Sequence, residues 1–409
     1  MPASLLMEKK VNANRHHDQN RFGIHLGIDA VNIREGGGLT HLSRLLQAAD
    51  PAQAGIEKIT LWANQRTVAA LPDRPWLVKH SAPWMDASLP RRILGQQYQL
   101  PGEARLAGCD VLFFPGGTLP KNCPLPAVTL SQNMLPFEPE EAARFGRWNS
   151  MRLKMQLLRY IQGQSFRRAD GVIFLTHYAQ RTITANLKQG LQQVALIPHG
   201  VEPRFFLPPR PQRRISECSI ENPFRILYVS ILMPYKHQLE VVHAVSILRN
   251  EGLPIEMRFV GRSWGRYGLR FAALIRGVDP ERRYLLWSGS EPFESVHGYY
   301  QNSDLFVFAS SCENLPNILI EAMASGLPIA SADRGPMPEV LGEAGAYFDP
   351  EQPLRITDAL RRAILDAPLR MQLAQLAYGK AQRFSWSRCA EDTFRFIAKV
   401  AQESFSRQN

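Results

Sequence analysis

Short apolar runs bounded by turn residues recur along the chain, and between several of them lie longer stretches with helical spacing. The runs are 22–30 (FGIHLGIDA), 58–63, 109–115, 126–132, 170–176 and 193–200, then 224–230, 255–261, 283–289, 305–309 and 327–332. Continuous apolar runs of four to eight residues suit strands buried on both faces, and strands alternating with helices point to parallel sheets. Helical patterns fall at about 140–168, 237–250, 267–276 and 293–302, and from about 354 the chain reads as helices. The expected fold class is α/β, with two Rossmann-like halves facing each other across a cleft.

The pattern breaks once. FFLPPRPQRRISECSIENP (205–223) is rich in proline, arginine and serine, which marks a linker. The expected organisation is a loose tail over 1–21, one half over 22–205, a linker over 206–223, a second half over 224–384, and a C-terminal helix over 385–409 that crosses back. With 409 residues, two domains are also the expectation from length.

One segment raises a chemical question. ENLPNILIEAMASGLPIA (313–330) follows a buried run and sets Glu313 and Glu321 eight positions apart in small, apolar text. Glu313 falls in the loop at the carboxyl end of a strand and Glu321 about one turn into the next helix. Ligands of open α/β sheets bind at that edge, where a helix N-terminus offers free N–H groups to an anion. Two carboxylates there have a use if hydroxyls must be held; otherwise they are a surface glutamate and a loop charge. Lys236, between the first strand of the second half and its helix, is placed to neutralise a phosphate or to stand in solvent. The loop GGGLTHL (36–42) lets a backbone approach a diphosphate at Gly37 and Gly38, or is a plain tight turn.

Charge and cysteines narrow the partners. The formal net charge is +11, which asks for an acidic partner. No zinc-finger spacing, RNA-recognition signature or basic heptad is visible, so no nucleic acid is expected. The five cysteines (109, 123, 218, 312 and 389) are scattered without C-x-x-C spacing, which fits a reducing cytosol and no structural metal site. No stretch is apolar enough to span a membrane, and the opening segment is too short for a secretion signal. Residues 144–168 interleave seven basic side chains with apolar ones and hold no acidic residue. They form either a surface for anionic lipid or a helix with a solvated basic face. SLPRRILGQQYQLP (88–101) adds two arginines beside apolar residues.

Taken together, the chain from about 22 to 390 resembles a family 4 retaining glycosyltransferase (glycosyl transferases group 1) of GT-B fold. The carriers are the E-x7-E pair Glu313–Glu321, PEVLGEAGAYFDP (338–350), the lysine of PYKHQ, the VG of RFVGR, the HGV of IPHGV and the closing FSWSRCAEDTFRFI (384–397). The resemblance implies a hexosyltransferase-type, metal-independent enzyme without cofactor, using a UDP- or GDP-linked sugar as donor. It implies that Glu321 accepts from the ribose hydroxyls, that Glu313 faces the reacting sugar, and that Lys236 stabilises the leaving diphosphate. Backbone N–H groups around Asn314, Leu315 and Asn317 would hold sugar hydroxyls and diphosphate oxygens. The family's arginine five residues before the lysine is Ile231 here, with Arg262 as the candidate substitute. Its His-Asp pair is Gln132–Asn133, of which Asn133 can still meet a sugar hydroxyl, and His199 is a further candidate contact.

The implied reaction is transfer to a lipid-linked or saccharide acceptor in cell-surface polysaccharide or lipopolysaccharide synthesis. A nucleotide-sugar epimerase of GT-B fold and a non-catalytic nucleotide-sugar-binding protein are the alternatives. The expected setting is cytoplasmic and peripheral on the inner face of the cytoplasmic membrane, with an anionic surface as partner.

Overall fold

The computed structural model describes residues 23–408 apart from 147–149, 188–189 and 264; the tail expected over 1–21 lies outside the described residues. Thirteen strands are described. The first sheet holds β1 (Ile24–Asp29), β2 (Ile56–Trp62), β3 (Leu77–His80), β4 (Val111–Phe114), β5 (Ala127–Leu130), β6 (Gly171–Phe174) and β7 (Val194–Leu196), in the order β3-β2-β1-β4-β5-β6-β7. The second holds β8 (Phe224–Val229), β9 (Ile255–Val260), β10 (Leu285–Trp287), β11 (Leu305–Phe308), β12 (Ile329–Ala332) and β13 (Gly345–Phe348), in the order β10-β9-β8-β11-β12-β13. Pairing is parallel, with β8 Phe224–Val229 running in register along β9 Ile255–Val260.

The apolar runs form strands because their side chains are covered on both faces. All six residues of β1 are buried, as are all four of β4 and of β11. In each sheet the order reverses at one place, between β1 and β4 and between β8 and β11. There successive connections leave in opposite directions and open a crevice at the carboxyl edge.

By contacts along the chain, the described residues form two compact units. One comprises those of Met1–Thr129, Ala169–Gly171 and Ala390–Asn409, the other Leu130–Arg168 with Val172–Cys389. Within the second unit the proline- and arginine-rich stretch is anchored along its length. Arg210 donates to Ser303 O at 2.6 Å, and Arg213 pairs with Asp304 at 2.5 Å. The fully buried Arg370 donates to Ala363 O, Ile364 O and Arg213 O. A buried guanidinium is tolerated when carbonyls satisfy its N–H groups, and these do.

Gly326 ends the helix Asn317–Ala324 and shows how tightly this strap lies. Its φ is +62°, a left-handed value, and a Cβ there would meet Leu207 O at 2.5 Å. Leu207 N in turn donates to Ala324 O at 2.9 Å. Gly326→Ala should therefore destabilise the protein by about 1–3 kcal/mol in chemical denaturation. Gly379→Ala, in the helix Ala367–Ala381 with open space around it, should instead stabilise by about 0.5–1 kcal/mol. Equal effects would mean that the strap does not constrain Gly326.

Candidate functional site

The sequence places Lys236 after β8 and Glu313 after β11, and β8 and β11 are the neighbours at which the second sheet reverses. The structure brings the two side chains together as an ion pair within the second unit. Lys236 is only 5% exposed, and its ammonium also stands 5.3 Å from the Phe308 ring centroid and 5.5 Å from that of Tyr235. The Glu313 side chain is 15% exposed. A pair with so little water gains Coulomb energy but loses about as much in desolvation, so it contributes little net stability. What it does is give a buried lysine side chain a counter-charge where an unpaired one would be costly.

The loop after β8 is fastened to the loop after β11. Ser311 N donates to Tyr235 O at 2.8 Å, and Tyr228 OH donates to Lys236 O at 2.6 Å. His237 opens the helix Gln238–Asn250 at φ 51°, a left-handed value that few non-glycine residues adopt. Its Nε2 lies 2.9 Å from Ser311 Oγ, and that hydroxyl lies 2.6 Å from Glu141. Burial and the nearby Arg144 charge push the His237 pKa down to about 4, so the ring is neutral at ordinary pH. With the serine proton given to Glu141, Nε2–H is the donor to Ser311.

The segment after β11 is held through the Asn314 side chain and carbonyl, which leaves several of its N–H groups free. Asn314 Nδ2 donates to Ser131 O at 2.9 Å, and Thr176 Oγ1 donates to Asn314 O at 3.1 Å. Pro316 stands at the N-cap of the helix Asn317–Ala324 and offers no side-chain cap. The N–H groups of Glu313, Asn314, Leu315, Asn317 and Ile318 therefore find no acceptor among the described residues. The buried Oδ1 atoms of Asn314 and Asn317 are also unpartnered. Such a row of donors at a helix start attracts anions and hydroxyl oxygens.

Glu321 lies one turn further in and is 9% exposed. Tyr300 OH is 3.1 Å from its Oε2. Burial pushes its pKa up to about 8, with the Tyr300 hydrogen bond opposing and the Glu202 charge adding to the rise. The opposing charge of Arg204 belongs to a guanidinium stacked 4.4 Å from the Phe293 ring centroid.

The remaining expected residues are dispersed. Arg262 is exposed in the loop after β9, and its carbonyl accepts from Leu232 N at 3.0 Å, which sets it beside Ile231. Asn133 is exposed, and its Oδ1 accepts from Leu135 N at 3.1 Å. His199 is buried, with its ring 5.7 Å from that of Trp386. Gly37 and Gly38 lie in the first turn of the helix Gly36–Ala48, in the first unit.

Sequence reasoning passed over several residues. Glu138 accepts from Tyr178 OH at 2.8 Å, and burial raises its pKa to about 7. The hydrogen bonds from Tyr178 and Cys312 oppose that rise, while the charges of Glu141 and Glu313 add to it. Glu339, in the PEV segment, accepts from His177 N and Tyr178 N at 2.8 and 2.7 Å and so caps the helix His177–Leu187. No spacing in the sequence signals these contacts, which join segments more than a hundred residues apart or, for Glu138, a loop and a helix.

The ion pair makes a prediction that needs no ligand. Glu313→Gln should destabilise the protein by about 3 kcal/mol, because it strands the Lys236 charge. Lys236→Met with Glu313→Gln should cost less than Glu313→Gln alone in urea denaturation. Simple additivity of the two changes would show that the pair is not coupled.

Comparison with known proteins then gives this geometry a context. The family model described as "Glycosyl transferases group 1" matches residues 210–380. The O-antigen chain mannosyltransferase B of Escherichia coli is 26% identical over 169 residues, 41% of this chain and 44% of that protein. The chain spans half or less of the length of the first curated relatives it matches. Sucrose-phosphate synthase from Thermosynechococcus elongatus superimposes with a TM-score of 0.71 at 17% identity, covering 94% of this chain and all of that one. HepE from Anabaena, in complex with UDP and glucose, superimposes with a TM-score of 0.66 at 16% identity, covering 91% and 99%. The two Rossmann-like sheets are thus those of a GT-B fold, and residues 210–380 form a glycosyl transferases group 1 domain.

Proposed function

We propose that the protein is a glycosyltransferase that moves a sugar from a nucleotide-sugar donor to a lipid-linked or saccharide acceptor in cell-surface polysaccharide or lipopolysaccharide synthesis. The observation that carries this reading is the Lys236–Glu313 pair beside unpaired N–H groups and a buried glutamate, all at one switch point. A diphosphate arriving there offers Lys236 a stronger anionic partner and offers acceptors to the N–H groups of Asn314, Leu315 and Asn317. Its arrival frees the Glu313 carboxylate to face the anomeric carbon, where positive charge develops as the bond to the diphosphate breaks. Lys236 and the N–H row neutralise the departing group, so the reaction proceeds without a metal, and Arg262 supplies a second cation at the rim. Retention of configuration follows if the acceptor hydroxyl attacks on the face that the diphosphate leaves. The UDP held by Anabaena HepE supports a nucleoside diphosphate in this site, and the E. coli mannosyltransferase supports an envelope polysaccharide as product.

Glu321 gives the reading a pH signature. In the free protein it holds a proton below about pH 8, whereas two ribose hydroxyls need a carboxylate to accept them. Nucleotide binding then expels that proton. Affinity should rise with pH up to about 8, by as much as tenfold per unit, and level off above it. Glu321→Ala should weaken UDP and uridine alike by about tenfold or more, while Lys236→Ala should weaken UDP and spare uridine. Calorimetric titrations between pH 6 and 9 measure all three, and a flat pH profile would remove Glu321 from the ribose. Nucleotide release that depends on added acceptor separates transfer from donor cleavage alone.

The same reading sets the protein on the inner face of the cytoplasmic membrane as a peripheral enzyme. Among the described residues no helix is long and apolar enough to cross a bilayer. The helix Ser150–Arg168 carries an exposed stripe, Leu153 (71%), Leu157 (58%), Tyr160 (65%) and Ile161 (38%), with Arg152 and Lys154 exposed beside it. Three further cations of 144–168 serve the fold: Arg159 bonds Asn186, Arg167 bonds Leu187 O, and Arg144, just before the helix, pairs with Glu141 and Glu351. Apolar insertion thus has a larger share than charge. Vesicles of anionic lipid should bind the protein and neutral ones should bind it less, with high salt narrowing the gap. Leu153→Ser with Leu157→Ser should weaken co-sedimentation severalfold while far-ultraviolet circular dichroism is unchanged. Undiminished binding of that variant would contradict the assignment of this helix.

A further inference from the structure

The first sheet has a switch point of its own, and the helix Leu89–Tyr98 is tied to both of its sides. Gln96 Nε2 donates to Asp29, the last residue of β1, and lies 3.4 Å from Thr118 O in the loop after β4. Its Oε1 accepts from Asn32 Nδ2 at 3.2 Å. The helix therefore lies against the crevice between β1 and β4. Arg92 stands one turn before Gln96 and so shares its face. Arg34, in the loop after β1, is held near the start of this helix by donating to Met85 O at 2.9 Å.

These two guanidinium groups lie close enough for the Arg34 charge to act on Arg92. Among the described residues neither is in an ion pair, and the one side-chain hydrogen bond of Arg34 is to a carbonyl. The Nε atoms of both are buried and carry no acceptor. Burial and the Arg34 charge together hold the Arg92 pKa below its ordinary value. Two residues on, Gly36 and Gly37 open the helix Gly36–Ala48 with no atom in the space a Cβ would fill, and no side chain caps it. Like charges placed side by side repel, and a site that keeps them there gains most from a doubly charged anion.

The exposed residues of the helix Leu89–Tyr98 are mostly apolar, with Arg91 among them. Leu89 is 51% exposed, Ile93 44%, Leu94 56% and Tyr98 78%. A cationic pair and an exposed, mostly apolar surface on one helix complement a phosphate carried on a lipid chain.

We propose that Arg34 and Arg92 form a phosphoryl-binding site at the switch point of the first sheet, and that it takes the phosphate of a lipid-borne acceptor whose hydrocarbon lies along Leu89, Ile93, Leu94 and Tyr98. The word acceptor rests on the glycosyltransferase reading; the phosphate site does not. A lipid phosphate and the donor's diphosphate share the same chemistry, and the apolar face favours the first.

The test uses the full chain and two kinds of phosphatidylcholine vesicle at matched surface charge. One contains phosphatidic acid, a phosphate monoester; the other contains phosphatidylglycerol, a diester. Wild type should bind the monoester vesicles about tenfold more tightly, the worth of one or two charge-assisted hydrogen bonds. Arg34→Gln with Arg92→Gln should remove the preference, while Arg91→Gln, an exposed arginine of the same helix, should keep it. Circular dichroism and the melting temperature control for folding. UDP affinity should be the same in wild type and the double variant. A preference that survives the double change, or that Arg91→Gln removes equally, overturns the proposal. A selective loss of UDP affinity would assign the arginines to the donor and also overturn it. Failure of wild type to bind UDP at all would instead count against the proposed function and leave the vesicle result standing.

Discussion

A lysine ammonium and a glutamate carboxylate, 77 residues apart in the chain and nearly dry, meet where the second sheet reverses its order. The meeting constrains much around it. The turn that delivers Lys236 needs His237 in a left-handed conformation, and this is sustained by the contacts of His237 and Tyr235 with Ser311. The loop that delivers Glu313 needs Asn314 and Thr176 to fix its course through side chain and carbonyl, which is why its N–H groups remain unclaimed. A buried pair of this kind is poor at stabilising a fold and good at storing two opposite charges that a ligand can separate. The proposed donor does that, replacing one internal partner of Lys236 by a diphosphate.

Around the pair, burial sets protonation. Glu321 and Glu138 both hold protons to unusually high pH for carboxyl groups, and for both the first cause is removal from water. They differ in surroundings: Glu321 has a tyrosine and the opposed charges of Glu202 and Arg204, while Glu138 has two further carboxylates close by. A polar ligand that brings hydroxyls to Glu321 changes its charge state, whereas Glu138 responds to the charge of Glu313. The site is therefore an electrostatically linked set, and separating Lys236 from Glu313 shifts more than two residues.

Much of this architecture was legible in the chain. Strands such as β1, β4 and β11 were readable because burial on both faces demands unbroken apolar text. β3 (LVKH) and β13 (GAYF) were not, because each is four residues long, only partly buried, and breaks its apolar text with Lys and His or with Gly. The arginines of 205–223 read as linker text because nothing in the sequence says that their N–H groups have carbonyls waiting. The expected placement of Glu313, Glu321 and Lys236 at one sheet edge came from strand ends and turn residues. Their pairing did not, since the order of β8 beside β11 is a property of the whole sheet. Glu138, Glu339 and the Arg34–Arg92 pair were invisible for the same reason, and Arg159 and Arg167 looked free because the carbonyl and amide they bind lie on another helix.

A structure of the protein with a nucleoside diphosphate bound tests the central claim most directly. The account predicts that Lys236 Nζ leaves Glu313 for a phosphate oxygen, that the N–H groups of Asn314, Leu315 and Asn317 point at the diphosphate or sugar, and that Glu321 accepts from the ribose. A nucleotide bound elsewhere, with the Lys236–Glu313 pair still closed, would contradict it.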